Sequence, residues 1–280
     1  MNYRHAFHAG NFADLLKHAV LTHILDGLAV SPAPCTVIDT HAGAGLYDLR
    51  DVLARRTDEA SDGVHRLMSD PHAPSALAAL KVAVRAANAS DEVRYYPGSP
   101  MLVARALKTG DRAIACELRP DDHSSLAKVV GSRPGFEVLN LDGWSHAVRA
   151  APASPARLLV LVDPPFERGD DYQNIVKLTG AVLDRNPDAC LAIWTPLKDL
   201  ATFDAFCCDL EDVTGAIPVL AIEARLGRLT NPLRMNGCAM IVVNPPAGLA
   251  SAGQEAAEWV ASRLGGEGAS ARIGRFGQAG

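Results

Sequence analysis

Apolar residues in this chain fall into short unbroken runs, separated by longer stretches with helical spacing. That alternation predicts a mostly parallel sheet with helices on both faces. The runs at Cys35–Asp39, Asp111–Glu117, Gly135–Leu139, Leu158–Val162, Ala189–Trp194, Ile217–Glu223 and Cys238–Val243 read as strands. Helices are expected near residues 12–29, 101–107, 120–130, 172–186 and 197–213. The first of these follows Asn11, a good N-cap, and turns Leu15, Leu16, Ala19, Val20, Ile24 and Leu28 to one side. Leu158–Val162 shows no alternation, as suits a strand buried on both faces. Asp163-Pro164-Pro165-Phe166 ends it, because proline lacks a ladder N–H and disfavours helix for the residue before it.

The spacing of acid-ended strands is uneven. After Cys35–Asp39 the next comes only at Asp111–Glu117. The intervening 46–94 is rich in Ala, Leu, Asp and Arg, with helical spacing at Val64, Leu67, Met68 and at Leu77, Leu80, Val84. It reads as an inserted helical subdomain, leaving 1–45 and 95–280 as the main domain. Residues 1–10 hold two aromatics, two histidines and an arginine, and are expected to dock on the body as a lid. The glycine-, alanine- and serine-rich stretch after Asn244-Pro245-Pro246 reads as a tail, frayed beyond Gly265.

Composition adds bounds. With 280 residues, 48% apolar and 21% charged, the chain supports a sizeable core. A net charge of −5 means that a nucleic-acid partner needs a local basic patch. The six cysteines have neither metal-ligand nor disulfide spacing, so no metal is expected and a reducing compartment is. No apolar stretch has membrane-spanning length, and a cytoplasmic protein is the expectation, with nothing to suggest more than a monomer.

Candidate chemistry gathers at the strand ends, where open α/β sheets bind ligands. Asp163 and the Pro164 carbonyl only accept hydrogen bonds, so they suit the two hydrogens of an exocyclic amine, with Phe166 stacking on the attached ring. The string resembles the D/N-P-P-Y/F motif of amino-group methyltransferases that use S-adenosylmethionine; a proline-stiffened strand–loop junction is the plainer reading. Gly43 and Gly45 form a G-x-G turn after the first strand, with Asp48 where a dinucleotide site would have its third glycine. That favours a cofactor without phosphates. Glu117 is placed for the hydroxyls of a ribose, and Asp142 for an adenine amine or simply a solvated turn. Ser99 is read as the cap of a helix that has Pro100 first, open to a carboxylate or merely capped. Lys17 and His18 sit together on the first helix, where a lone histidine is more often structural. Arg225, Arg228 and Arg234 form a basic loop, solvated or gripping phosphates. Asn244-Pro245-Pro246 repeats the motif but has Ala247 in the aromatic position and follows seven strands, too late to be central; it reads as a decoy.

In order, YRHAFHAGNFADLLKH at 3–18, DTHAGAG at 39–45, RYYPGSP at 94–100, DG at 142–143 and DPPFE at 163–167 make the chain resemble the RlmJ family of 23S ribosomal RNA adenine-N6 methyltransferases over nearly its whole length. The resemblance implies a Rossmann-like class I methyltransferase sheet with a helical insertion. It implies S-adenosylmethionine contacts from His18, His41, Gly43, Ser99, Glu117, Asp142, Gly143 and Asp163. It also implies Asp163, Pro164 and Phe166 as the catalytic set and Tyr3, Lys17 and Phe166 on the substrate side. The partner would be 23S ribosomal RNA, protein-free or in an early assembly particle. The family motif usually ends in Tyr; Phe166 keeps the ring and loses the hydroxyl. The rival readings are a DNA adenine-N6 methyltransferase and a noncatalytic RNA-binding protein of the same fold.

Overall fold

The computed structural model describes residues 7–229 and 235–277. Tyr3, most of the expected lid and Arg234 lie outside them. The first half of the chain runs α1 (Phe12–Val30), β1 (Cys35–Asp39), β2 (Leu46–Asp48), α2 (Val52–Thr57), α3 (Glu59–Asp62), α4 (Val64–Ser69), a 3-10 turn (Ser75–Leu77), α5 (Ala78–Ala86), β3 (Tyr95–Pro97), α6 (Ser99–Ala106), β4 (Arg112–Cys116), α7 (Pro120–Val130) and β5 (Phe136–Leu139). The second half runs α8 (Gly143–Ala150), β6 (Arg157–Val162), α9 (Asp171–Arg185), β7 (Cys190–Leu197), α10 (Leu200–Thr214), β8 (Val219–Arg225), β9 (Gly237–Val243), α11 (Leu249–Leu264) and β10 (Ser270–Phe276).

One sheet has the order β5-β4-β1-β6-β7-β9-β8-β10. From β5 to β7 every pairing is parallel. β9 is antiparallel to both β7 and β8. The chain leaves β1 for β4 on one side and reaches β6 on the other, so the direction of winding reverses between β1 and β6. A crevice opens there, beyond the strands' carboxyl ends.

β6 is buried on both faces, as its unbroken aliphatic run requires. Leu159 and Leu161 pack on the layer holding α1, α5 and α11, while Leu158, Val160 and Val162 pack on the layer holding α8, α9 and α10. Residues 46–94 carry four short helices, and their Val64, Leu67, Leu77, Leu80 and Val84 join the same core as Leu15, Leu16 and Leu21 of α1. β2 and β3 pair at the base of this segment, where Arg94 binds Asp48 at 2.7 Å. Asp48 thus ties the two ends of residues 46–94 together through Arg94.

Three expectations need correction. Residues 249–264 are a helix and not a tail: alanine favours helix, and Leu249, Ala257, Trp259 and Val260 are buried. Residues 270–276 do not fray; they pair antiparallel with all of β8 and satisfy its otherwise open edge. Arg225 is no phosphate gripper, because it is buried in β8 with its guanidinium on Glu223, and Arg228 pairs with Glu267 at 3.1 Å. Among the described residues no helix is long and apolar enough to cross a membrane.

Candidate active site

Asp163 emerges from β6 into the crevice yet is only 5% exposed. Lys17 donates to its Oδ2 at 2.6 Å and binds Asp14 Oδ1 at 2.7 Å. Asp14 and Lys17 share a face of α1 by their three-residue spacing. Burial opposes the ammonium charge, but the two carboxylates outweigh it and hold the Lys17 pKa well above its ordinary value. The buried ammonium thus bridges the two carboxylates and fixes the Asp163 side chain in place.

Asp39, at the end of β1, is a second buried acid. Burial pushes its carboxyl up to about 7, the Ser99 hydroxyl opposes this, and the charge of Asp163 adds to it. Ser99 Oγ donates to Asp39 Oδ2 at 2.7 Å and the His41 amide to Oδ1 at 3.3 Å. Ser99 is therefore not the cap of α6. Gly98 holds that position, Ser99 and Pro100 begin the helix, and the hydroxyl goes to the stronger buried acceptor.

Three cavities meet around Asp163 and Pro165. The first is lined by Thr40, His41, Glu117, Asp142, Gly143, Trp144, Pro165 and Asp171. Glu117 is fixed in it by two backbone donors, Gly43 N to Oε2 and Arg119 N to Oε1, each at 2.8 Å. Asp142 caps α8, accepting from Trp144 N and Ser145 N at 3.4 Å, long bonds that leave acceptor capacity. Gly143 must be glycine, because a Cβ there would stand 2.0 Å from the Thr40 carbonyl oxygen. His41 meets Trp144 edge-on at 4.8 Å.

The second cavity adjoins the first and is lined by His18, His41, Ala42, Tyr47, Gly98 and Ser99 together with Asp14, Lys17 and Asp163. His18 is buried, with Nδ1 2.7 Å from the Tyr96 hydroxyl and its ring stacked on that tyrosine. The third lies on the far side of Asp163 and Pro165. Its walls are His8, Asn11, Ala13, Asp14 and Lys17 on one side and Phe166, Trp194, Pro196, Lys198 and Met235 on the other. Phe166 has a φ of 50°, and its ring rests on Tyr172 at 4.8 Å and Trp194 at 5.7 Å. Pro164 is buried.

His18, His41, Ser99, Glu117, Asp142, Gly143, Asp163, Lys17 and Phe166 thus line these three cavities, Gly43 serves them through its bond to Glu117, and Pro164 lines none of the three. Sequence reasoning left Asp14, Trp144, Asp171 and Trp194 without a role. Asp14 was readable from its spacing to Lys17. Trp194 owes its place to β7 being the neighbour of β6, which no local pattern reveals.

A reversal of winding beside β6, an antiparallel β9 within the parallel set and a buried acid at the central strand's end define a Rossmann-like class I methyltransferase. Residues 32–274 match the family model described as ribosomal RNA large subunit methyltransferase D, RlmJ. The chain belongs to that family. It is 34% identical over 264 residues to the ribosomal RNA large subunit methyltransferase J of Escherichia coli K12, covering 94% of each chain. The enzyme of the same name from Haemophilus influenzae is 34% identical over 247 residues, 88% of each chain. The crystal structure of protein LPL1258 from Legionella pneumophila superposes with a TM-score of 0.87 at 28% identity, over 95% of this chain and 98% of that one.

Proposed function

We propose that this protein transfers a methyl group from S-adenosylmethionine to the N6 amine of an adenine in 23S ribosomal RNA. The observation that carries the reading is the buried Asp163 carboxylate, which lines the polar cleft beside His18 and Ser99 on one side and an aromatic-walled cavity on the other. The first two cavities fit the cofactor's groups. Glu117, with both oxygens pre-oriented by backbone N–H groups, suits a ribose diol, and Asp142 suits an adenine amine in the same cavity. The acids Asp14 and Asp163 suit the cationic amino-acid end beside His18 and Ser99. S-adenosylmethionine supplies an electrophilic methyl group on a sulfonium sulfur.

The chain's own groups do the rest. A nucleobase amine is a poor nucleophile because its lone pair is delocalised into the ring. Asp163, fixed by Lys17, accepts a hydrogen bond from one amine hydrogen and the Pro164 carbonyl from the other, which favours the pyramidal, reactive nitrogen, and Asp163 receives the proton that the methylated nitrogen gives up. Phe166, backed by Tyr172 and Trp194, stacks on the base. The adenine has to leave its stack to enter, since N6 is otherwise engaged in pairing. The names of the two bacterial relatives support a large-subunit RNA as substrate. The enzyme acts as a cytoplasmic monomer on RNA that is protein-free or in an early assembly particle.

Labelled methyl transfer from S-adenosylmethionine tests this. Unmodified 23S RNA, 16S RNA and duplex DNA are supplied in parallel, and the products are analysed as nucleosides. N6-methyladenosine in 23S RNA alone is expected. Label in duplex DNA, or cofactor binding with no label in any acceptor, overturns the reading.

A further inference from the structure

The wall of the aromatic cavity opposite Phe166 is the chain's own first described segment, His8 to Lys17. A wall that near the start of α1 needs an anchor, and the insertion supplies it. Glu59 opens α3, and its carboxylate takes two partners at once. His8 Nδ1 lies 2.9 Å from Oε1 and 3.0 Å from Oε2, and Asn11 Nδ2 donates to Oε2 at 2.8 Å. Both partners line the cavity. The main chains interlock next to this: Val64 N donates to Gly10 O at 2.8 Å. A Cβ on Gly63 would stand 2.0 Å from that same oxygen, so the two backbones are in direct contact. Asp58 fixes the approach, with a left-handed φ of 52° and its carboxylate on Ser61 Oγ at 2.7 Å.

From this we infer that Glu59 is a positioning residue for the methyl acceptor: the insertion uses it to hold His8 and Asn11 in the wall of the base cavity. The inference rests on the proposed reading of that cavity as the acceptor site. Three features support a role in the site over simple packing. Glu59 spends its hydrogen-bonding capacity on two residues that both face the cavity. The same Asn11 is also the N-cap of α1, with Oδ1 accepting from Ala13 N and Asp14 N at 3.0 Å, so Glu59 fixes the amide orientation that this cap needs. The cap in turn sets the first turn of α1, which carries Asp14, the partner of Lys17 beside Asp163.

The test compares the full-length wild type with Glu59→Ala and Glu59→Gln. Glu59→Ala should raise the KM for RNA by about tenfold, the scale of a lost hydrogen bond to a charged group. It should change cofactor affinity far less, because none of these contacts reaches Glu117 or Asp142 and Asp14 stays tied to Lys17. Glu59→Gln keeps an acceptor for one partner and should recover most of the loss. Hydrogen exchange gives a readout that needs no RNA. The Gly10, Asn11 and Val64 amides, which donate to Asp14, His8 and Gly10, should exchange faster in Glu59→Ala and near wild-type rates in Glu59→Gln. Unchanged protection in Glu59→Ala, or a parallel fall in cofactor and RNA affinity, overturns the inference. If the wild type methylates no RNA, the proposed function falls and the exchange data still decide whether Glu59 holds the wall.

Discussion

Two loops in this molecule carry nearly the same four residues: Asp163-Pro164-Pro165-Phe166 and Asn244-Pro245-Pro246-Ala247. Both end a strand whose last five residues are buried and apolar. They lie at opposite edges of the sheet, because β6 runs with the parallel set and β9 runs against it; Val243 pairs with Leu191, at the start of β7. Asp163 faces cavities, a buried ammonium and an aromatic wall. Asn244 faces backbone, giving its amide hydrogens to Pro187 O at 2.8 Å and Ala189 O at 2.9 Å. Each loop also contains one non-glycine residue of positive φ, Phe166 at 50° in one and Asn244 at 51° in the other. Asparagine tolerates that region locally, whereas a phenylalanine held there is uncommon and is kept in place by the rings around it. The chemistry of such a motif is set by the direction of the strand before it.

The largest contrast is expected at the two polar residues themselves. Asp163→Ala should lower methyl transfer by about 10²–10⁴-fold, the usual scale for removing a catalytic proton acceptor. Folding should survive, since Lys17 keeps Asp14 as its partner; a thermal melt run beside the transfer assay checks both halves. Phe166→Ala should cost about 10–100-fold in RNA affinity, in line with ~1–3 kcal/mol for base stacking. Phe166→Tyr keeps the face, and titration with RNA should find its affinity close to wild type. Asn244→Ala inverts the pattern: transfer should be unchanged while denaturant unfolding shows a loss of about 1–2 kcal/mol from two lost hydrogen bonds. A large loss of turnover in that variant would remove the distinction between the two edges.

A smaller effect sharpens the comparison through pH. The working edge buries acids, and Asp39 titrates near 7 against an ordinary 3.8. Between those values the folded chain holds a proton that the unfolded chain has lost. This contribution to stability is complete below about 3.8 and is lost as pH rises through 7. Asp39→Asn should remove that decline. Denaturant melts at several pH values between 4 and 8 should show the wild type losing stability relative to the variant up to pH 7 and no further change above it.

Much of this edge was legible because its residues announce their own geometry. The prolines after Asp163 end a strand, Gly43 and Gly45 allow a tight turn, and the strand-end positions of Asp39 and Glu117 follow from the apolar runs before them. The other end of the chain was not legible. Residues 249–276 are built of small residues whose helix and strand are decided by partners, α1 for α11 and β8 for β10, and not by a strong local pattern. The Glu59 contacts were hidden for a similar reason. Glu59 and His8 stand 51 positions apart with no shared motif, and only the close approach of Gly10 and Gly63 brings them together.

α1 has a consequence for how activity arises in time. Its Lys17 meets Asp163 across a sequence separation of 146, and its apolar side shares a core with α11 near the other end of the chain. Contacts of such separation form late in folding, after the closure entropy of long loops has been overcome. During refolding, then, no early burst of turnover should precede the assembly of the whole core, and recovered methyl transfer can serve as a clock for the last step of folding.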